Sequence, residues 1–340
     1  MRSLIVASCC LLAACTDPAV HDLDASLEDA GVDSGLAMAP DAGVDAGPPL
    51  PDPPPTLSAT GLFTSGASGP YAAGAREYAV RHPLWTDGAE KRRHLLLPPG
   101  AAIDTTDPDH WAFPEGTRIF KEFLVDGRPI ETRMLWKTGP GVGSWVYVAY
   151  RYREDGSDAD AVPDGEADVL GTPHDVPSTD DCRNCHRGGR DFVLGLGAMQ
   201  LERATFDAWM SEGVLPPATS YGAPPGDDVA RTALGYLHGN CGHCHNDVHP
   251  LARNRALRLF LPVGVVDPWT APAWVTGANA TANHDIGGAT AIIEVGDPAA
   301  SQLWVRMGLR DDLAMPPLGT EIVDDAARDA IAAWIASGAP

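Results

Sequence analysis

The sequence predicts an α+β protein with a β-rich N-terminal part and a mostly helical C-terminal part. Strand-like runs flank an Asp-Gly dipeptide within 118–154, whereas apolar residues recur at helical spacing after residue 226. With 44% hydrophobic residues among 340, the chain can build a core of ordinary size. We expect five segments, which are an export segment at 1–15, a spacer at 16–60, a β-rich domain at 61–170 and two motif-bearing segments at 171–216 and 217–340.

The export segment reads "MRSLIVASCCLLAAC" and ends at Cys15. A basic Arg2 precedes an apolar run that is too short to span a bilayer as a stable helix. The ending "LAAC" resembles the lipobox of bacterial lipoproteins, in which the cysteine becomes the lipidated first residue. The alternative is an ordinary secretory signal cleaved near Ala14. We expect an exported protein that Cys15 anchors to a membrane, on the periplasmic side or at the outer membrane, and Thr16 in place of aspartate favours the outer membrane.

The spacer at 16–60 has the composition of a disordered chain. It repeats "DAGVD" at 29–33 and 41–45 and closes on "GPPLPDPPP" at 47–55. Without aromatic residues or a periodic apolar face, such a segment cannot bury enough surface to offset its chain entropy. We expect a flexible tether with a reach of about 35–40 Å.

The balance of charge limits the partners. The chain carries 24 Lys and Arg against 46 Asp and Glu, a formal net charge of -22, and nine of the acids lie in the spacer. We expect no nucleic-acid partner, because phosphates attract the opposite sign. Acidic charge would suit a basic protein partner, and the alternative is a surface that only keeps the protein soluble.

A meander of at least three strands is expected in the β-rich domain. Asp126 and Gly127 lie between two strand-like runs of "RIFKEFLVDGRPIETRMLWKT", residues 118–138, and this dipeptide favours a type I′ hairpin. A third run, "WVYVAYRYRE" at 145–154, alternates between two faces.

Two short motifs share one pattern, a CxxC pair followed at once by histidine. They are "DCRNCH" at 181–186 and "GNCGHCH" at 239–245, and they contain all the cysteines outside the export segment. A Cys₄ zinc site is one reading, but zinc ribbons usually place their knuckles about 15–20 residues apart. Here 55 residues separate Cys185 from Cys241, and zinc does not explain the histidines. Thioredoxin-type redox chemistry is another reading, which the duplicated histidine disfavours.

Covalent haem attachment explains every part of the pattern. Two cysteines three apart on a helical turn can reach the two vinyl groups, and the next histidine turns its imidazole onto the iron. We therefore predict two haem c groups. The predicted attachment and iron-binding residues are Cys182, Cys185 and His186 for the first haem, and Cys241, Cys244 and His245 for the second.

Upstream of the hairpin, "PLWTDGAEKRRHLLLPPG" at 83–100 is rich in basic residues. This cluster could bind haem propionates or form the edge of a substrate site. The alternative, which we favour, is a solvated strand that ends in a turn at Pro98-Pro99-Gly100.

The remainder of the chain predicts helices around a methionine loop. A helical stripe leads into Cys241, Asp297-Pro298 is expected to open a helix, and Asp324 is expected to cap the last one. Between the last two helices, "AMPPLGTEIVD" at 314–324 places Met315 before two prolines. A thioether on such a loop suits the sixth ligand of a class I cytochrome and raises the reduction potential. The alternative is that Met315 fills the core.

The first haem has no methionine loop of its own, because only about 30 residues separate His186 from the linker at 216–228. An open sixth position is also compatible with the sequence. The candidate sixth ligands are His174, Met199, Met210, His238 and His243.

In their order, these stretches resemble a bacterial family of exported di-haem c-type cytochromes with a β-rich N-terminal domain. The resemblance covers about 80–340 and is carried by "PLWTDGAEKRRHLLLPPG", "FPEGTRIFKEF", "IETRMLW", "DCRNCH", "FVLGLGAMQL", "YLHGNCGHCH" and "MPPLGTEIVD". It implies electron transfer with an unidentified redox partner protein and a cytochrome c-like helical haem region. The alternative is a di-haem oxidoreductase, peroxidase-like, with one five-coordinate haem. Only 59 positions separate Cys182 from Cys241, a shorter spacing than is general in di-haem peroxidases.

Overall fold

The computed structural model describes residues 49–250 and 255–338. Cys15, the whole export segment and spacer residues 16–48 lie outside these described residues. The mixture of helix and sheet confirms the α+β class. Within 49–250 and 255–338, no helix is both long and apolar enough to cross a lipid bilayer.

A six-stranded antiparallel meander forms the main sheet, in which each strand pairs with the next one in the chain. All of its connections are therefore local. The strands are β1 Arg76–Glu77, β2 Glu90–Leu96, β3 Arg118–Val125, β4 Arg128–Lys137, β5 Trp145–Tyr152 and β6 Ala159–Ala161.

The connection between β3 and β4 is a two-residue turn. Asp126 has φ 50° and Gly127 has φ 75°, so both residues adopt the left-handed conformation that a type I′ turn requires. The predicted hairpin and the third strand are confirmed.

The α-helices of the described residues all lie in the later chain, with one small antiparallel sheet among them. Most residues of this part are in turns and loops, so the predicted mostly helical region is only partly helical. The helices are α1 Thr179–His186, α2 Arg203–Ser211, α3 Asp228–Asn240, α4 Pro272–Gly277, α5 Gln302–Met307 and α6 Asp325–Ala336, and the small sheet pairs β7 Thr281–Ile286 with β8 Ala289–Ala291.

One predicted helix start is confirmed and one is wrong. Asp324 caps α6, since its side chain accepts the N–H of Ala327 at 3.0 Å. Asp297 instead belongs to a separate turn, in which its side chain accepts the N–H of Ala299 at 3.0 Å. α5 consequently begins only at Gln302.

The N-terminal side of the body covers one face of the sheet. Leu57 and Leu62 are fully buried against Phe120, Met134 and Tyr150. The folded part therefore begins before residue 61, and the predicted spacer boundary at 60 is too late. A single apolar anchor after a proline run leaves no periodic pattern that could mark this start.

The opposite face of the sheet packs on the chain around α2. Ile119 and Tyr147 share a buried cluster with Leu196, Phe206 and Trp209. The strands and the segment that follows the first motif thus contribute to one core.

A second core lies between α3 and α6. Ala233 and Leu237 of α3 are buried with Ile331 and Trp334 of α6. These positions carry the helical stripes seen in the sequence, so both amphipathic helices are confirmed.

Candidate functional site

The first motif lies on α1, whose start is fixed by a capping box. Ser178 Oγ accepts the N–H of Asp181, and the Asp181 carboxylate accepts the N–H of Ser178 at 3.1 Å. Because the helix runs to His186, Cys182 and Cys185 lie one turn apart on the same side.

The second motif lies on a helical turn that continues from α3. The N–H of Cys241 donates to Leu237 O at 3.0 Å, and the N–H of His245 donates to Cys241 O at 2.9 Å. Cys244 follows Cys241 by one turn. Both motifs therefore have the helical arrangement that the sequence predicts.

The two motifs, far apart in sequence, contact each other. The buried amide of Asn246 donates to Gly188 O at 3.0 Å, to Gly242 O at 2.8 Å and to His243 O at 3.0 Å. A Cβ atom at position 188 would lie 1.6 Å from His243 O, so only glycine permits this approach. Nothing in the sequence pattern signals the contact, because it joins residues almost 60 positions apart.

The four cysteines of the motifs are free thiols and partly buried. Burial raises the pKa of Cys182 and Cys244 to about 11, and that of Cys185 and Cys241 to about 12. Attacking cysteines of thioredoxin-type enzymes need a lowered pKa. Burial thus acts against formation of the thiolate at all four positions.

The motif histidine His186 is held in one tautomer. Its Nδ1 lies 2.7 Å from the carbonyl oxygen of Phe192, so Nδ1 carries the proton and Nε2 keeps its lone pair. Burial lowers the pKa of His186 to about 3, and the ring is neutral near pH 7. A neutral imidazole with a fixed Nδ1–H is the form that binds iron through Nε2.

The second motif histidine, His245, is also neutral. Burial lowers its pKa to about 4, while the backbone of Leu257 acts in the opposite direction. Its Nδ1 is buried without a hydrogen bond of normal geometry to a described residue. The His245 ring therefore lies in the interior, and its Nδ1 can still take a hydrogen-bond partner.

Met315 lies on the loop between α5 and α6, as the sequence indicates, and is partly buried. Its N–H donates to Arg306 O at 3.0 Å, and the charge of Arg306 is among those that lower the pKa of His245. The backbone bond from Met315 joins the loop to α5.

Four of the five candidates for the first sixth ligand have other roles. His174 Nε2 lies 2.7 Å from Glu131, and His238 Nδ1 accepts the N–H of Leu261 at 2.9 Å. The second bond leaves the proton of His238 on Nε2, the wrong tautomer for an Nε2 ligand. Met199 and Met210 pack in the cores, and the ring of His243 makes no hydrogen bond with a described residue.

The basic stretch before the hairpin is only partly as predicted. β2 forms a strand, and a turn follows it in which the N–H of Ala101 donates to Pro98 O at 3.0 Å. The strand is not solvated, however, since Arg93 and His94 are buried. Covering layers on both sheet faces explain the difference.

Among the described residues, no three His, Cys, Asp or Glu side chains converge as ligands of a metal ion. A haem iron takes four ligands from its porphyrin, so the protein needs to supply only the histidine and a sixth group.

A scan against protein-family models, a search of curated proteins and a search of solved structures each gave no match.

Proposed function

We propose that this protein is a di-haem c-type cytochrome that transfers electrons at the periplasmic or outer-membrane face of a bacterial envelope. The observation that carries the proposal is the adjacency of two CxxCH turns with free thiols, together with the tautomer of His186. When bound, haem iron supplies reversible one-electron chemistry.

The residues of the chain divide the work of binding. Cys182 and Cys185 would hold one haem through thioethers and Cys241 and Cys244 the other. His186 and His245 would each present Nε2 to an iron, and Met315 would supply a thioether ligand to the second one. The segment 217–340 would then correspond to a class I-like cytochrome domain.

Burial around the motifs would set the redox behaviour. A low-dielectric surrounding disfavours the more highly charged oxidised site, and thioether ligation favours the reduced one. The contact between the motifs would place the two attachment sites next to each other. A redox partner protein, not yet identified, would dock outside, while a lipid at Cys15 would hold the protein at a membrane.

The first test is to count attached haems. Intact mass of the chain matured with cytochrome c assembly machinery should show two haems, with haem-stained denaturing gels as a second readout. The pair Cys182→Ala with Cys185→Ala should retain one haem, and so should the matched pair Cys241→Ala with Cys244→Ala. A haem-free chain that binds zinc stoichiometrically would overturn the proposal.

A second test separates the carrier from an enzyme. A carrier should hold both irons six-coordinate and low-spin in the oxidised and the reduced state. A high-spin haem that binds cyanide quickly and turns over peroxide well above the rate of free haem would instead establish a di-haem oxidoreductase.

A further inference from the structure

Three cationic side chains lie side by side on the sheet face that packs against the first motif. The strand register pairs Arg93 with Lys121 and Lys121 with Arg133, across β2, β3 and β4. Directly opposed residues have Cβ atoms about 4.5–5.5 Å apart, so the three charges form one row. Lys91 adds a fourth cation two residues along β2 on the same face.

Among the described residues, only Arg133 of these four has a carboxylate within hydrogen-bond distance, although Glu131 also attracts Lys121 and Asp87 attracts Lys91 from farther away. The Arg133 guanidinium donates to both oxygens of Glu131, at 2.6 and 2.9 Å, and Glu131 is fully buried. Lys91 Nζ donates to Ala89 O at 2.9 Å, an uncharged partner. The side chains of Arg93 and Lys121 make no hydrogen bond or ion pair with a described residue.

The uncompensated charge is also poorly solvated. Arg93 is only 9% exposed. Burial and the neighbouring cations lower the pKa of Lys121 well below its usual range and that of Lys91 to about 8. The ring of Phe123 lies 5.3 Å from Lys121 Nζ, but a ring quadrupole attracts a cation more weakly than a carboxylate does. A buried amine avoids the cost of desolvation either by losing its proton or by gaining an anion beside it.

The position of the row points to the source of the anion. One row further along the same face, the register pairs Leu135 with Tyr147, and the Tyr147 ring centroid lies 5.1 Å from that of His186. Rows two residues apart on a strand are separated by about 6.5 Å.

We propose that Lys91, Arg93 and Lys121 bind the propionate carboxylates of the first haem. This inference rests on the proposed function, because attachment at Cys182 and Cys185 is what would bring a dianionic group against this face. Two carboxylates are the fixed counter-charge that the row lacks. The sheet would then be part of the haem site and not only its support.

The test compares reduction potentials of the holo protein. Lys121→Met should favour the oxidised first haem by about tenfold, a potential lower by ~59 mV for a one-electron couple, because a cation that offsets propionate charge is lost. The first haem is the redox component that is missing when Cys182 and Cys185 are both alanine. Lys121→Arg, which keeps the charge, should restore the potential.

Arg92→Met is the matched control, since Arg92 is exposed on the other face of the same strand. Arg92→Met should change the equilibrium constant for reduction of the first haem by less than about twofold. If Lys121→Met does not fold, Arg93→Met serves with the same expectation. A shift in Lys121→Met no larger than that of the control would overturn the inference. The inference would also fail if the potential of the wild-type protein changes with added phosphate and that of Lys121→Met does not, because the cations would then bind a free anion and not the propionates. The absence of any attached haem by mass would overturn the proposed function itself.

Discussion

At the scale of single residues, substitution of Met315 tests whether this side chain is a haem ligand or part of the core. The wild-type oxidised protein should show the weak charge-transfer band typical of sulfur ligation, because a thioether would bind the second iron. Met315→Ala should abolish this band and lower the potential of the second haem, since a ligand that favours the reduced iron is lost. Absorption spectra and redox titration measure both effects. Met307→Leu, at a buried helical position, is the control, and an unchanged band in Met315→Ala would assign Met315 to the core.

Asn246 gives a residue-scale prediction about the contact between the motifs. Asn246→Ala removes the three hydrogen bonds that the amide nitrogen donates and the two that Oδ1 accepts from the N–H groups of Val248 and His249. This loss should lower the free energy of unfolding by about 2–3 kcal/mol. Chemical denaturation of the matured protein measures the change. Asp247→Ala, at an exposed neighbour, should cost less than about 1 kcal/mol. Equal costs for the two variants would mean that the hydrogen bonds of Asn246 contribute nothing to stability.

At the scale of elements, a buried ion pair joins the sheet to the loop after α1. Lys137 Nζ on β4 lies 2.6 Å from Asp191 Oδ1, and Asp191 also accepts the N–H of Phe113 at 2.7 Å. Lys137→Met would leave a buried carboxylate without its partner, so we expect a loss of about 3–5 kcal/mol in thermal or denaturant unfolding. Combining Lys137→Met with Asp191→Asn should recover part of this loss.

The exposed pair between Arg203 and Asp207 on α2 provides the comparison for that prediction. Arg203→Met should cost less than about 1 kcal/mol, because water screens the pair. A cost for Lys137→Met as small as this would show that the buried pair does not hold the two elements together.

Elements with local signals could be predicted from the sequence, and contacts between distant elements could not. The hairpin at Asp126 and Gly127 and the cap at Asp324 follow from a few neighbouring residues. The row formed by Arg93, Lys121 and Arg133 depends on the register of three strands, which no single stretch encodes. For the same reason, the cysteine motifs were recognisable but their contact was not.

At the scale of the whole molecule, buried histidines predict sensitivity to acid. Burial lowers the pKa of His82 to about 4 and that of His238 to about 3, so both rings are neutral in the fold. In the unfolded chain they bind protons below about pH 6.5. Their contribution to stability is thus present above pH 6.5 and is lost as the pH falls towards 4.

The free energy of unfolding should therefore fall by up to about 1.4 kcal/mol per pH unit for each histidine in this range. Denaturant unfolding measured between about pH 7 and about pH 4.5 tests how steeply the free energy of unfolding depends on pH. His82→Gln with His238→Asn should make the slope shallower, because two of the buried histidines no longer contribute, whereas His284→Gln, at an exposed position, should leave it unchanged. A slope that is the same in all three proteins would contradict the prediction.

Attachment to a membrane is the other property of the whole molecule. If Cys15 is lipidated, the wild-type protein should fractionate with membranes and carry an acyl mass. Cys15→Ser with a conventional cleavage site should release it as a soluble protein. A wild-type chain found wholly in the soluble periplasm without an acyl mass would contradict the lipobox interpretation.

The close approach of Gly188 to His243 also limits which segments recombination could exchange during evolution. Recombination that exchanged the chain after the linker at 216–228 for a foreign haem segment would have to supply an asparagine and a loop that accept this glycine. A donor segment without them would lose the contact, because it depends on the backbone oxygen of His243 and the amide of Asn246. The two halves should therefore be inherited together, as a single unit of descent.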